Sequence, residues 1–211
     1  MKTEKLVEAL VADGAAPKRT IPRALAAALA IGGSVSLLVF LVDLGVREDI
    51  AHALSTWRFD LKVGLVALAL VLAFRLCVAL AAPIPSGRPS RLLLPLAALA
   101  ALAAAIEVAT VPSASWGTRL VGSNALVCLA AIPMLSAAPL GVVLLALRSG
   151  APASPALAGA AAGFLAAASG ATLYAFHCFD DSPLFVMTWY VLAALPVVGV
   201  GAIVGRRLLR W

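Results

Sequence analysis

The sequence predicts an all-α integral membrane protein: a bundle of six transmembrane helices preceded by a short cytoplasmic amphipathic helix. Two observations carry most of this prediction. Hydrophobic residues make up 63% of the 211 residues, charged residues make up only 12%, and the mean hydropathy is +1.05. A water-soluble domain of this size does not have such a composition. In addition, six apolar stretches reach the length of roughly 20 residues that a membrane-spanning helix needs.

The N-terminal leader is the first element, and we predict that residues 1–23 form a cytoplasmic unit separate from a six-helix domain over 24–211. Its apolar positions fall on one face of a helix and are Leu6, Val7, Leu10 and Val11. Thr3 is a suitable N-cap, and Gly14 with Pro17 ends the helix. A helix with a single apolar face is a ligand for a groove on a partner protein. The alternatives are a helix lying on the membrane or a frayed tail.

The six predicted spans cover about 24–42, 61–82, 92–111, 121–147, 154–176 and 184–204. The fourth contains Pro133 and Pro139, so we expect a kink there and uncertain ends. No cleavage site follows the first span, which indicates that the N-terminus is retained. Two pairs of glycines, Gly159 with Gly163 and Gly201 with Gly205, are four residues apart. We expect them to pack helices within the bundle, with a homodimer seam as the alternative.

The distribution of positive charge predicts the orientation of the spans. Eleven lysines and arginines fall on the side of the termini and four fall at or near the other side. Because cytoplasmic loops carry the excess of positive charge, both termini should be cytoplasmic. The net charge of +6 is then a topology signal, and we read no nucleic-acid site into it. Within the spans, we expect Arg75 to snorkel and Glu107 to pair with Lys62, with a proton-relay role for Glu107 as the alternative.

A polar segment, "FHCFDDSPLFVMTWY" over residues 176–190, interrupts the last two apolar runs. Cys178 in this segment and Cys128 near the outer end of the fourth span both face the extracytoplasmic side, whereas Cys77 is expected to be an inert buried residue. Two thiols that meet there can form a reversible disulfide, or can bind a metal with His177 and nearby carboxylates. We also expect Asp181 or Ser182 to cap the sixth helix.

These features resemble the NrsF-type family of transmembrane anti-sigma factors. The resemblance covers the whole chain and is most specific in a Cys-x-x-Asp-Ser-Pro element and an opening Thr-x-x-Leu-Val/Ile-x-x-Leu pattern. The residues that match are Cys178, Asp181, Ser182 and Pro183 in the first and Thr3, Leu6, Val7 and Leu10 in the second. The resemblance implies that the paired cysteines of the family correspond to Cys128 and Cys178.

The resemblance further implies a multi-pass protein of the bacterial inner membrane that holds an extracytoplasmic-function sigma factor and releases it under stress. In this interpretation the sensor consists of Cys128, Cys178, His177 and Asp181, with a metal at Cys128, Cys178 and His177 as one option. Thr3, Leu6, Val7, Leu10 and Val11 would bind the sigma factor. No enzymatic activity and no cofactor are expected. The alternative from another class is a small six-helix transporter or a membrane redox protein.

Overall fold

The computed structural model describes residues 21–83 and 88–210. The leader, with Thr3, Leu6, Val7, Leu10 and Val11, therefore lies outside the described residues. Within them the secondary structure is helical and contains no strand. The α-helices are α1 (Ile21–Val39), α2 (Ile50–Ala53), α3 (Trp57–Leu80), α4 (Leu94–Thr110), α5 (Trp116–Val121), α6 (Ala125–Leu147), α7 (Pro155–Ala175), α8 (Pro183–Phe185) and α9 (Val191–Leu208).

Six helical segments are long and apolar enough to cross a membrane, as the sequence predicted. They are Ile21–Leu44, Trp57–Leu80, Pro89–Thr110, Ser113–Leu147, Pro155–Ala175 and Pro183–Leu208. Two of them continue through a π-helical turn, Phe40–Leu44 after α1 and Val186–Tyr190 between α8 and α9. Their bounds agree with the predicted spans to within a few residues, except at the start of the fourth.

The fourth segment is interrupted at a position that the sequence did not predict. Helix α6, its longer part, is continuous through Pro133 and Pro139, where a kink was expected. The interruption lies before α6, at Gly122, which has a positive φ of 60° and separates α6 from the short α5. Glycine adopts this conformation without the steric penalty that a Cβ brings. The polar residues Ser123 and Asn124 that follow it therefore turn the chain at one end of the bundle.

Helix α7 lies at the centre of the bundle, where it contacts α3, α6 and α9, while α1 packs on α6. Its sequence explains this position, because it is rich in Ala and Gly, whose small side chains allow neighbouring helices to approach closely. Helix α4 is peripheral, and only Ala103 and Glu107 are buried along it. The bundle therefore has a well-packed centre and one loosely attached helix.

The two glycine pairs pack against each other inside one chain. A Cβ placed on Gly159 would overlap the carbonyl oxygen of Gly201 and lie 2.8 Å from the Cα of Gly205. A Cβ on Gly205 would lie 2.6 Å from the Cα of Gly159. The expectation of packing within the bundle is confirmed. A homodimer seam through these glycines is wrong, because the α7–α9 contact already occupies them.

The buried apolar residues form two clusters, one at each end of the bundle. The cluster near the terminal end contains Leu25, Leu147 and Cys77. The cluster at the opposite end contains Phe40, Tyr174, Phe185 and both remaining cysteines, Cys128 and Cys178. The fold thus separates Cys77 from the other two cysteines and brings those two into one core.

Candidate functional site

The site is built around the connection between α7 and α8, residues 177–182, which lies outside the six candidate spans. This connection carries His177, Cys178, Asp180, Asp181 and Ser182. Each of them bonds a part of the chain distant in sequence, by its side chain or its backbone carbonyl. The polar interruption seen in the sequence is therefore the point where several elements of the bundle are tied together.

The backbone of Cys178 is held by two cations. The Lys62 ammonium donates to the Cys178 carbonyl oxygen at 2.8 Å, and Arg47 Nη1 donates to the same oxygen at 3.0 Å. Lys62 comes from the second turn of α3 and its side chain is fully buried, while Arg47 comes from the α1–α2 connection and is also buried. Buried charges are retained in proteins when they are paired and hydrogen-bonded. Both cations meet this condition here.

Asp181 supplies the counter-charge for these cations. Its carboxylate forms an ion pair with Lys62 and accepts from Arg47 Nη1 at 3.0 Å. Arg47 also forms a two-point contact with Asp49, at 2.6 and 2.8 Å. The hydrogen bond with Asp49 is the main reason that the pKa of Arg47 is raised, and the same bond lowers the pKa of Asp49. Two cations and two carboxylates therefore form a neutral cluster.

This cluster corrects the predicted helix cap. Pro183 does occupy the first turn of α8, but the N-cap residue Ser182 makes no side-chain cap bond. Asp181 is committed to Lys62 and Arg47, and the Ser182 hydroxyl donates to Glu107 at 3.3 Å. The cap prediction was wrong because both polar side chains have charged partners on other helices. These pairings between distant segments cannot be read from the local pattern.

Asp180 anchors the start of the fourth segment. Its carboxylate accepts the backbone N–H of Asn124 at 2.8 Å and that of Ser123 at 3.0 Å. Both N–H groups lie just before the first residue of α6, where a negative charge is favourable. The approach requires Gly122, since a Cβ at that position would lie 2.7 Å from the Asp180 carboxyl carbon.

Glu107 is the buried acid of the peripheral helix α4 and is fully shielded from solvent. It forms ion pairs with Arg58 at 3.0 Å and Arg119 at 2.8 Å. The predicted pair of Glu107 with Lys62 is wrong, because Lys62, one turn after Arg58 on α3, pairs with Asp181 instead. Glu107 therefore ties α4 to α3, to α5 and, through Ser182, to the α7–α8 connection.

Cys128 and Cys178 are both buried with no exposed surface, and both are free thiols. Cys128 lies in the first turn of α6, and both cysteines belong to the same buried cluster. The Cys178 thiol donates a long hydrogen bond of 3.8 Å to the Asp180 carbonyl. Burial raises the pKa of the Cys178 thiol, and the nearby charge of Lys62 opposes this effect.

His177 fastens the α7–α8 connection to the α1–α2 connection. Its Nδ1 lies 3.1 Å from the carbonyl oxygen of Gly45, and the backbone N–H of Arg47 donates to the carbonyl oxygen of Phe176 at 3.0 Å.

Among residues 21–83 and 88–210, no group of three or more His, Cys, Asp or Glu side chains is arranged to hold a metal ion. The predicted metal at Cys128, Cys178 and His177 thus finds no ligand set there.

Two tyrosines lie beside the thiols and were not predicted from the sequence. Tyr174 and Tyr190 are buried in the cluster that holds Cys128 and Cys178, and their rings are 5.8 Å apart. The Tyr174 hydroxyl donates to the Asn124 carbonyl at 3.4 Å. Within the described part of the chain, Tyr190 Oη is the buried side-chain nitrogen or oxygen that has no hydrogen-bond partner. An aromatic residue in an apolar run gives no indication in sequence that its hydroxyl lies beside a thiol.

Comparison of the sequence with known proteins identifies the family of this chain. The family model described as "Negative regulator of sigma F" matches residues 10–211. A "Probable anti-sigma-F factor NrsF" of Azospira oryzae is 33% identical over 216 aligned positions, and an "Anti-sigma-F factor NrsF" of Caulobacter vibrioides is 34% identical over 217. Both alignments cover 100% of each chain. No solved structure matches. The chain therefore belongs to the NrsF family of negative regulators of sigma F, which are regulatory proteins and not enzymes.

Proposed function

We propose that this protein is a transmembrane anti-sigma factor of the bacterial inner membrane. It holds an extracytoplasmic-function sigma factor through the leader helix, at Thr3, Leu6, Val7, Leu10 and Val11. It releases that sigma factor when an extracytoplasmic oxidative stress acts on Cys128 and Cys178. The observation that carries the proposal is the position of the two thiols in one buried cluster, with Cys178 in the α7–α8 connection that ties the bundle together and Cys128 in the first turn of α6.

The charge distribution supports the proposed orientation. The seven acidic residues of the described ranges lie at the end of the bundle that holds the cysteine cluster: Asp43, Glu48, Asp49, Asp60, Glu107, Asp180 and Asp181. Apart from Arg75 within α3, the arginines of the described ranges that lie away from this end are Arg23, Arg88, Arg91, Arg148, Arg206, Arg207 and Arg210. This asymmetry favours a cytoplasmic location for the second group and for both termini.

The proposed coupling uses the connection as its mechanical element. A covalent change at Cys178 alters the α7–α8 connection. Other groups of this connection bind Lys62, Arg47, Asn124 and Glu107. The bundle then shifts between two arrangements, one of which the sigma factor prefers. Differential affinity of about 1–3 kcal/mol is the usual size of such a coupling.

The transporter alternative relied on the intramembrane charges Arg75 and Glu107 and on a proline-broken fourth helix. Glu107 is held by Arg58 and Arg119, and α6 is continuous through both prolines.

A sigma-dependent reporter tests the proposal in strains carrying Cys128→Ser, Cys178→Ser, both changes together, or Cys77→Ser. The first two should alter the response to thiol oxidants, and the double variant should resemble each single variant because the thiols act as one unit. Cys77→Ser is the control, since Cys77 lies in the other core cluster. A normal oxidant response from the double variant would refute the thiol sensor.

A further inference from the structure

We propose that Cys178 is the thiol that reacts first with hydroperoxides, and that Tyr190 is a positioning residue whose hydroxyl donates to the Cys178 sulfur once that sulfur is a thiolate or a sulfenate. Cys128 then forms the disulfide. This inference rests on the proposed function, which makes the two cysteines the sensor pair. It adds the order of the chemistry and the residue that assists it.

The hydroxyl of Tyr190 is the first observation. Tyr190 is only 6% exposed, its ring lies 5.8 Å from Tyr174 and 6.4 Å from Phe185, and its Oη has no partner. Burying a hydroxyl without a hydrogen bond is unfavourable. Tyr190 and Cys178 also belong to the same buried cluster. A thiolate or a sulfenate at Cys178 would be the acceptor that this O–H lacks.

The difference between the two cysteines is the second observation. Cys178 lies in the connection outside the candidate spans, next to the Lys62 ammonium that binds its own carbonyl at 2.8 Å. Cys128 lies inside the fourth segment, in the first turn of α6. A cation beside a thiol favours the thiolate, which is the nucleophile. The charged or titratable groups around Cys178 are Lys62, Arg47, Asp180, Asp181, His177, Tyr174, Tyr190 and Cys128.

The chemistry balances in two steps. The Cys178 thiolate attacks the terminal oxygen of a hydroperoxide, the O–O bond breaks, and the alkoxide leaves and takes a proton to become an alcohol. Cys178 is thereby oxidised to a sulfenic acid, and the hydroperoxide is reduced. The Cys128 sulfur then attacks the Cys178 sulfur, the S–O bond breaks, and water leaves with the proton of the Cys128 thiol.

Full-length protein in native membranes, carrying Cys77→Ser, provides the test. Cumene hydroperoxide is the oxidant, dimedone traps the sulfenic acid, and mass spectrometry locates the adduct. With Cys128→Ser added, the adduct should form at residue 178. With Cys178→Ser added instead, adduct formation at residue 128 should be at least about tenfold slower, the factor that one unit of thiol pKa produces.

Tyr190→Phe in the Cys77→Ser, Cys128→Ser background tests the positioning role. It should slow adduct formation about tenfold at neutral pH and move the pH profile of the rate upwards by about one unit. Because Tyr190 Oη makes no hydrogen bond in the resting structure, the change should leave thermal stability intact. Thr188→Val is the matched control, since Thr188 lies on the same turn and its hydroxyl bonds Leu184 at 2.9 Å. Equal rates for Tyr190→Phe and its parent, or equal rates at the two cysteines, would overturn the inference.

The outcome is separable from that of the proposed function. Adducts at residue 178 with a reporter that ignores hydroperoxide would leave the order of reaction standing and would refute the sensor role. If the reporter responds but the trapped adduct is found on residue 128, the sensor role stands and the proposed order of reaction is refuted.

Discussion

The Lys62 ammonium donates a 2.8 Å hydrogen bond to the carbonyl oxygen of Cys178, which is 116 residues away in the chain. Lys62 also pairs with Asp181, so one fully buried cation fixes both the backbone beside a thiol and the carboxylate three residues later. Helix α3 is thereby joined to the α7–α8 connection by charge as well as by apolar packing.

Replacing Asp181 with Asn should destabilise the protein strongly. The change leaves the buried Lys62 without its carboxylate, and removing one partner of a buried pair costs about 3–5 kcal/mol. We expect a lower midpoint of thermal unfolding in detergent. Asp49→Asn is the comparison and should cost less, because Asp49 is 41% exposed and the buried Arg47 keeps Asp181 as its partner. Similar midpoints for the two variants would contradict the burial argument.

Enlarging Gly159 should disrupt the contact between α7 and α9. Gly159→Val places its side chain against the Gly201 carbonyl and the Gly205 Cα. Overpacking of this kind costs about 1–3 kcal/mol or more, which should appear as a lower unfolding temperature. Gly199→Ala, on α9 but with open space around its Cα, should be nearly neutral. Unchanged stability of Gly159→Val would mean that the two helices are further apart than described.

Labelling in intact cells should establish the orientation. Cys178 itself is buried, so we place a single cysteine in a cysteine-free background at exposed positions, either His52→Cys or Ser149→Cys. A membrane-impermeant maleimide should label residue 52 in intact cells and residue 149 only after lysis. The opposite pattern would invert the orientation and remove the cysteine cluster from the extracytoplasmic side.

The leader variant with both Leu6→Asp and Leu10→Asp should lose sigma-factor binding while the protein still inserts into the membrane. Burying each leucine contributes on the order of 1.5–3 kcal/mol, so losing both should weaken a micromolar complex beyond detection. Pull-down of the sigma factor from solubilised membranes measures the effect. The control is the variant with Lys2→Gln and Lys5→Gln, which changes polar positions of the leader outside its apolar face. Capture at wild-type strength by the leucine variant would reject the leader as the binding element.

The spans and the role of the glycines were predictable, because hydropathy and the spacing of small residues are properties of single segments. The same holds for the separation of Cys77 from the other cysteines, which follows from its position near the opposite end of its span. The partners of the charged residues were not predictable. Lys62 and Arg58 are one turn apart on α3, and nothing local decides which of them meets Glu107 and which meets Asp181.

The helix interruption shows the same limit. The two prolines of the fourth span predicted a kink there; α6 is continuous through both, and Pro139 packs closely against Gly32 of α1. The break lies at Gly122, where the chain must both turn and leave room for Asp180.

The interlocked glycines of α7 and α9 have a mechanical consequence. Backbone rests directly on backbone at Gly159, Gly163, Gly201 and Gly205, so there are no side chains whose rotamers could change to let one helix slide along the other. The two helices must therefore move together as one rigid unit. Cys178 sits in the link that joins them, and Cys128 sits on α6 beside it. A disulfide between these sulfurs would attach the α7–α9 pair to α6 at one end. Rotation of the pair about this attachment would then be greatest at the opposite end, where α7 begins and α9 ends.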